Sequence, residues 1–325
     1  MWALAVAFAI ALAATPLVAA GARVAGLVDR PGALKVHDRP IPLLGGLAVI
    51  AAWVVGATVV GPTPEGSVLL AVALVFSVGF LDDVRTVPPA ARLIVQFFAG
   101  AALVWGGARF KAVSPFASLM PVVAVLVATN GVNLVDGLDG LAAGCAALTA
   151  AGLAVIASGV GSAEAASATL ALAGALVGFL VWNRRPARVF LGDAGAYAIG
   201  VTLVALAAAG TREAGIRDVA AAAMCFGVFI VEPVDSVRRR LRTSSAMTAG
   251  DRDHVYDRLI SRGLTVNQTV SLVWATQAWL VVTAILLARV PAALPAAAVV
   301  PLGLLIPAIR HRLAAAALRG RPVAR

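Results

Sequence analysis

Along the chain, long apolar stretches alternate with short polar connections. Apolar runs fall near 2–20, 44–61, 66–81, 91–108, 118–135, 138–158, 166–183, 194–210, 217–236, 267–288 and 293–310. Most reach or approach the roughly 20 residues that a helix needs to cross a bilayer. The period-two alternation of membrane β-barrels is absent, and Ala-Leu-Val-Gly runs dominate. The pattern predicts an all-α, polytopic membrane protein with about eleven transmembrane helices, forming a single domain over 1–325. No linker, low-complexity stretch or fixed-period repeat marks a second one. The first run lacks a basic leader and continues to Ala20, so it reads as a retained helix rather than a cleaved signal.

Composition strengthens the membrane reading. The chain is 61% hydrophobic and 13% charged, with a mean hydropathy of +0.95. A soluble domain of this size cannot hide that much apolar surface. The net charge of +10 raises the question of nucleic acid. The basic residues do not form one soluble patch, however; they lie between apolar runs, as the positive-inside rule requires. With the N-terminus outside and the C-terminus cytoplasmic, all 26 Lys and Arg except Arg109, Lys111, Arg212, Arg217 and Arg289 fall on the cytoplasmic side. The opposite orientation inverts that bias. Cys145 and Cys225 lie in apolar runs and read as small core residues, not a disulfide or metal pair.

The same topology gathers the acids. Asp82 and Asp83 end the third run, Asp136 and Asp139 lie between the fifth and sixth, and Asp193 lies between the seventh and eighth. His254 lies in the long loop after the ninth. All fall on the cytoplasmic side, from four separate connections. Charged groups at a membrane edge are costly to desolvate, so their convergence points to a ligand or metal. Asn130 and Asn133, then Asp136 and Asp139, are spaced three apart and share a face on a helical turn. That makes a polar wall beside a break in the helix that opens onto a cavity. Adjacent Asp82 and Asp83 point roughly 100° apart on a helix and should differ in role. Phe190, Gly192 and Asp193 put an aromatic ring, a hinge and a carboxylate within four residues. Mg²⁺ favours such a setting, taking one or two carboxylates and filling its shell from substrate phosphates. Taken alone, His37 beside Lys35 and Arg39 reads as a basic juxtamembrane loop near anionic lipid.

Taken together, these segments resemble the polyprenyl-phosphate N-acetylhexosamine-1-phosphate transferase family (glycosyltransferase family 4). The matching pieces are His37-Asp-Arg-Pro40-Ile-Pro-Leu-Leu-Gly45-Gly46, Gly79-Phe-Leu-Asp82-Asp83, Asn130 to Gly140, Phe190 to Gly195, and Asp251 to Leu259. They occur in family order. The resemblance implies that a UDP-activated amino sugar and a membrane polyprenyl phosphate give a polyprenyl diphospho-sugar and UMP. Mg²⁺, or Mn²⁺ in its place, is the implied cofactor, and the site faces the cytoplasm. Both substrates are anionic, so a metal and basic groups must offset their repulsion.

The resemblance also implies roles. Asp193 ligates the metal. Asp82 is the base for the lipid phosphate, with Asp83 near the metal or diphosphate. Asn130, Asn133 and Asp136 line the donor site. Asp139 and Phe190 meet the uracil, the latter by stacking. His254 contacts the diphosphate, and Lys35 and Arg92 supply positive charge to the substrates. Direct attack and a covalent aspartyl intermediate are both compatible with it.

Three departures mark this chain. Only His254 stands where many members carry a histidine cluster. Arg92 replaces the usual Lys, presenting a planar fork in place of a point charge. Ala196 replaces a frequent Ser. They favour an N-acetylglucosamine-1-phosphate transferase over the phospho-N-acetylmuramoyl-pentapeptide transferase alternative. A transporter is the reading from another class, but transporter sites lie near mid-membrane, whereas these acids cluster at one edge. Membrane lipid is the expected surrounding, a homodimer is allowed, and nucleic acid is excluded as a partner.

Overall fold

The computed structural model describes residues 1–31, 38–114, 116–243 and 254–290. They form a helical bundle: α1 Trp2–Val24, α2 Gly45–Val60, α3 Gly66–Val84, α4 Pro89–Trp105, α5 Leu119–Val135, α6 Leu141–Gly159, α7 Ala163–Asn183, α8 Gly192–Gly210, α9 Ile216–Met224, α10 Gly227–Thr243, α11 Val255–Ser261 and α12 Val266–Arg289. A two-stranded antiparallel ribbon, β1 Val28–Asp29 with β2 Ile41–Pro42, pairs Val28 with Pro42.

Among the described residues seven helices are long and apolar enough to cross a membrane, or eight if the bent α9–α10 pair is one span. The chain is an all-α polytopic membrane protein. The expected number of spans was about eleven, and the difference has identifiable sources. Helix α2 has 16 residues and α4 has 17, which rise only about 24–26 Å against a hydrocarbon core of about 30 Å. The run at 293–310 lies outside the described residues.

Packing follows residue size. Helix α8 is buried along nearly its whole length and is built mostly of Ala, Gly and Val. Small residues let helix backbones approach closely where lipid supplies no hydrophobic drive between helices. Hydroxyls inside the bundle bond to their own helix: Thr129 to Val125 O, Thr202 to Ala198 O and Thr15 to Ala11 O. That satisfies groups for which lipid offers no partner.

The run expected at 217–236 is broken. Helices α9 and α10 meet at 69° around Cys225 and Phe226. The bend has a cause. The Cys225 carbonyl accepts from Thr149 Oγ1 at 2.8 Å and from Gln277 Nε2 at 2.6 Å, and Gln277 Oε1 takes the Val228 N–H at 3.3 Å. Side chains of α6 and α12 thus capture backbone groups at the break.

Candidate active site

The C-terminal ends of α3 and α5, the N-terminal halves of α4 and α8, and the turns 136–140 and 184–191 meet at one end of the bundle. Asp83 fixes the centre. Its Oδ1 accepts the Asp193 N–H at 2.8 Å and its Oδ2 the Ala194 N–H at 3.2 Å. A carboxylate is favoured at a helix N-terminus, where free N–H groups and the positive dipole end coincide. Gly192, at φ +76°, lets the chain turn into α8 there; a Cβ on it would come within 2.7 Å of Asp83 Oδ2. The hinge glycine before Asp193 is therefore required by the capping carboxylate as well as by its backbone angle.

Asp193 then stands at the head of α8. Its Oδ1 accepts from Asn133 Nδ2 at 2.6 Å, and its carboxyl lies beside that of Asp82. Asp82 is engaged on both oxygens, accepting the Val87 N–H at 2.8 Å and Arg92 Nη1 at 2.6 Å. The same Arg92 nitrogen reaches the Tyr197 hydroxyl at 3.3 Å. Asp136 ends α5, its N–H donating to Asn133 O at 3.1 Å, and its side chain makes no hydrogen bond among the described residues. Burial, with the charges of Asp193, Asp83 and Asp139, pushes its carboxyl well above the usual carboxylate range.

The structure thus joins Asp82, Asp83, Arg92, Asn133, Asp136 and Asp193 in one cluster. Asp139 ties two turns together, its Oδ2 accepting the Ala187 N–H at 3.1 Å. Buried Asn183 braces the same junction through Gly140 N and Val189 O. Phe190 is held by its backbone, its N–H donating to Pro42 O and its carbonyl accepting from Gly45 N, each at 2.9 Å. Asn130 is not in the cluster. It pairs with Gln96 Oε1 at 2.7 Å and with Leu126 O, about 4.5 Å deeper along the helix than Asn133. Lys35 and His37 lie outside the described residues.

His254 approaches from the far side of α10. Its Nδ1 lies 3.4 Å from Glu232 Oε2, and Glu232 Oε1 accepts the Val255 N–H at 3.1 Å. Its ring stacks on Tyr256 at 5.2 Å. Tyr256 in turn presses its phenol against Gly137, where a Cβ would meet the hydroxyl at 2.0 Å. His254 is thereby placed beside the Asp136 turn.

Several of these residues were not singled out from sequence: Tyr197, Glu232, Gln96 and Asn183. Glu232 carried a signal, being an acid inside an apolar run. Tyr197 carried another, as one of only two tyrosines in the chain, set in a helix of small residues.

The donor set is suited to a hard cation. Four carboxylates, from Asp82, Asp83, Asp136 and Asp193, face one guanidinium, that of Arg92, so the cluster carries excess negative charge. All its donors are oxygens, which suits Mg²⁺. Among the described residues no group of three or more His, Cys, Asp or Glu is arranged to hold a metal unaided.

An apolar groove of about 240 Å³ lies deeper in the bundle, away from the cluster, between α5, α8 and the α9–α10 bend; its α8 lining, Val204 and Ala207, begins about 16 Å along that helix from Asp193. Val123, Val127, Ala128, Phe226, Phe229 and Ile230 line it. It runs down the helix that carries Asn130 and Asn133.

Comparison with known proteins places this geometry in context. The sequence model of glycosyl transferase family 4 matches residues 66–211, a span containing every member of the carboxylate cluster. The decaprenyl-phosphate N-acetylglucosaminephosphotransferase of Mycolicibacterium smegmatis is 30% identical over 293 residues, covering 77% of this chain and 72% of the relative. The undecaprenyl-phosphate alpha-N-acetylglucosaminyl 1-phosphate transferase of Escherichia coli K12 is 28% identical over 78% of this chain and 74% of its own length. A phospho-N-acetylmuramoyl-pentapeptide-transferase of Shouchella clausii is 32% identical, over 62% of this chain and 70% of its own. A chain that shares this much of its length with such relatives belongs to glycosyl transferase family 4.

Proposed function

We propose that this protein transfers N-acetylglucosamine-1-phosphate from its UDP-activated form to a membrane polyprenyl phosphate, releasing UMP. The observation that carries the reading is the carboxylate cluster with Arg92, set at one end of a membrane bundle. A water-soluble nucleotide sugar and a lipid phosphate can meet only at such an edge. The positive-inside bias puts that edge in the cytoplasm. Relatives named for N-acetylglucosamine transfer cover more of the chain than the pentapeptide transferase does, and His254 stands without a histidine cluster.

In the reaction, an oxygen of the lipid phosphate attacks the β-phosphorus of the UDP-sugar. The bond from that phosphorus to the bridging oxygen breaks, and UMP leaves with the electron pair. Arg92, paired with Asp82, stands ready for an incoming phosphate. Asp82 accepts the proton of any lipid phosphate that arrives as a monoanion, a light task because phosphate monoesters lose their second proton near pH 6. Asp193, with the Asp82 carboxyl beside it, would hold Mg²⁺, which would supply charge neutralisation on the diphosphate. Asn133 keeps the Asp193 carboxylate aimed. Phe190 and Asp139 form the uracil end, and His254, oriented by Glu232, faces the diphosphate from the Tyr256 side.

The test is purified full-length protein with polyprenyl phosphate, Mg²⁺ and a panel of UDP-sugars, reading UMP. UDP-N-acetylglucosamine is expected to turn over and the UDP-muramoyl-pentapeptide is not. Faster turnover of the pentapeptide donor refutes the donor assignment, and release of UMP from none of them refutes the reading.

A further inference from the structure

Arg92 is tethered in an uneven way. Nη1 alone makes both of its hydrogen bonds, 2.6 Å to Asp82 Oδ2 and 3.3 Å to the Tyr197 hydroxyl. Nε and Nη2 make none among the described residues, and the side chain is 27% exposed. Tyr197 is fully buried and lies one turn beyond Asp193 on α8. A buried phenol needs a hydrogen-bond partner, and Arg92 is the one this hydroxyl has. An apolar residue would fill the same space in a helix otherwise made of small apolar residues without that demand.

A guanidinium grips a phosphate through two parallel N–H groups on one edge. With Nη1 anchored to both α3 and α8, the edge formed by Nε and Nη2 is the one left to present. We propose that Tyr197 is a positioning residue for lipid-phosphate recognition: with Asp82 it pins Nη1 of Arg92 so that the Nε–Nη2 edge faces the phosphate of the lipid acceptor. This inference rests on the transferase reading for the identity of the phosphate. It gives a structural reason for Arg at position 92, because a Lys ammonium has no second edge to offer once anchored. It also separates the roles of the two tyrosines, Tyr256 bracing His254 and Tyr197 bracing Arg92.

The test uses the full-length protein in detergent, titrated with farnesyl phosphate and, separately, with UDP. Tyr197→Phe keeps the ring and removes only the hydroxyl, so it should fold with an unchanged or higher melting temperature. Its affinity for farnesyl phosphate should fall about tenfold, while its affinity for UDP stays within about twofold. Arg92→Lys should weaken farnesyl phosphate binding as well. The double variant should be no weaker than Arg92→Lys alone, because the hydroxyl acts through the arginine fork. Wild-type farnesyl phosphate affinity in Tyr197→Phe, equal weakening of UDP, additive losses in the double variant, or absence of farnesyl phosphate binding by the wild type would each overturn the proposal. UMP release from UDP-sugars is read on the same preparations. Binding effects as expected without any UMP release would leave the Tyr197 assignment standing and sink the transferase reading instead.

Discussion

Gly79 is where the site is most sensitive to a single methyl group. It lies on α3, one turn before Asp83, against the head of α8. A Cβ there would lie 2.6 Å from Ala194 Cα and N and 2.7 Å from Asp193 C. Ordinary contact begins near 3.4 Å, so Gly79→Ala must push the two helices apart by about 0.8 Å. The Asp83 Oδ1 to Asp193 N bond, now 2.8 Å, would stretch to about 3.6 Å and be lost. Overpacking costs about 1–3 kcal/mol, and a hydrogen bond to a charged group contributes about 1.5–3 kcal/mol. The better helix propensity of Ala offsets about 1 kcal/mol. The net is a destabilisation of roughly 2–4 kcal/mol. Turnover should fall about a hundredfold, since a displacement near 1 Å at a reacting centre has that effect. Gly66→Ala is the control: same helix, other end, with nothing within 4 Å of the added Cβ. Thermal unfolding and UMP release on both variants form the assay. Gly79→Ala with wild-type melting and turnover would refute the claim that the Asp83–α8 contact sets the site.

Three further outcomes follow from the same geometry. Asp193→Asn should fold normally yet lose roughly a hundredfold or more in turnover, without full rescue by added Mg²⁺; near-normal turnover with an unchanged Mg²⁺ requirement would remove it from the metal. The raised Asp136 carboxyl means that the folded protein holds a proton the unfolded chain has released, so stability should fall as pH rises through the folded value. In EDTA, Asp136→Asn should therefore flatten the pH dependence of melting and melt higher than wild type at neutral and alkaline pH, while a lower melting point at every pH contradicts the raised pKa. Cys145 and Cys225 are buried, so introduced cysteines can report topology. Glu213→Cys, on an exposed side chain, should react with an impermeant maleimide in intact cells, and Arg185→Cys only after permeabilisation; the reverse pattern overturns the orientation.

Most helices were legible because lipid imposes one simple rule, a long apolar stretch, and each run from 2–20 to 267–288 became a helix or the bent pair. What the runs could not show was the break at Cys225, because the side chains that hold it, Thr149 and Gln277, come from distant helices. The acids of the site were legible for a similar reason, since charge at a membrane edge is rare enough to stand out. Their division of labour was not. Spacing put Asn130 and Asn133 on one face about a turn apart, but could not show that Gln96, from another helix, pairs with Asn130 at that depth. Asp83 was expected near the metal or diphosphate, and spacing could not show that both its oxygens accept backbone N–H groups of α8. Arg92 looked like a free positive charge, whereas it already pairs with Asp82 and Tyr197.

In the proposed reaction sugar and β-phosphate move together, from nucleotide to lipid. This is tested most directly with UDP-N-acetylglucosamine carrying ³²P in the β position, incubated with the purified protein, polyprenyl phosphate and Mg²⁺, then partitioned between organic and aqueous phases. The account predicts ³²P in the lipid phase in proportion to unlabelled UMP in the aqueous phase, and neither with Asp193→Asn. Label retained in aqueous UDP while the sugar enters the lipid phase, or no label in lipid at all, would contradict it.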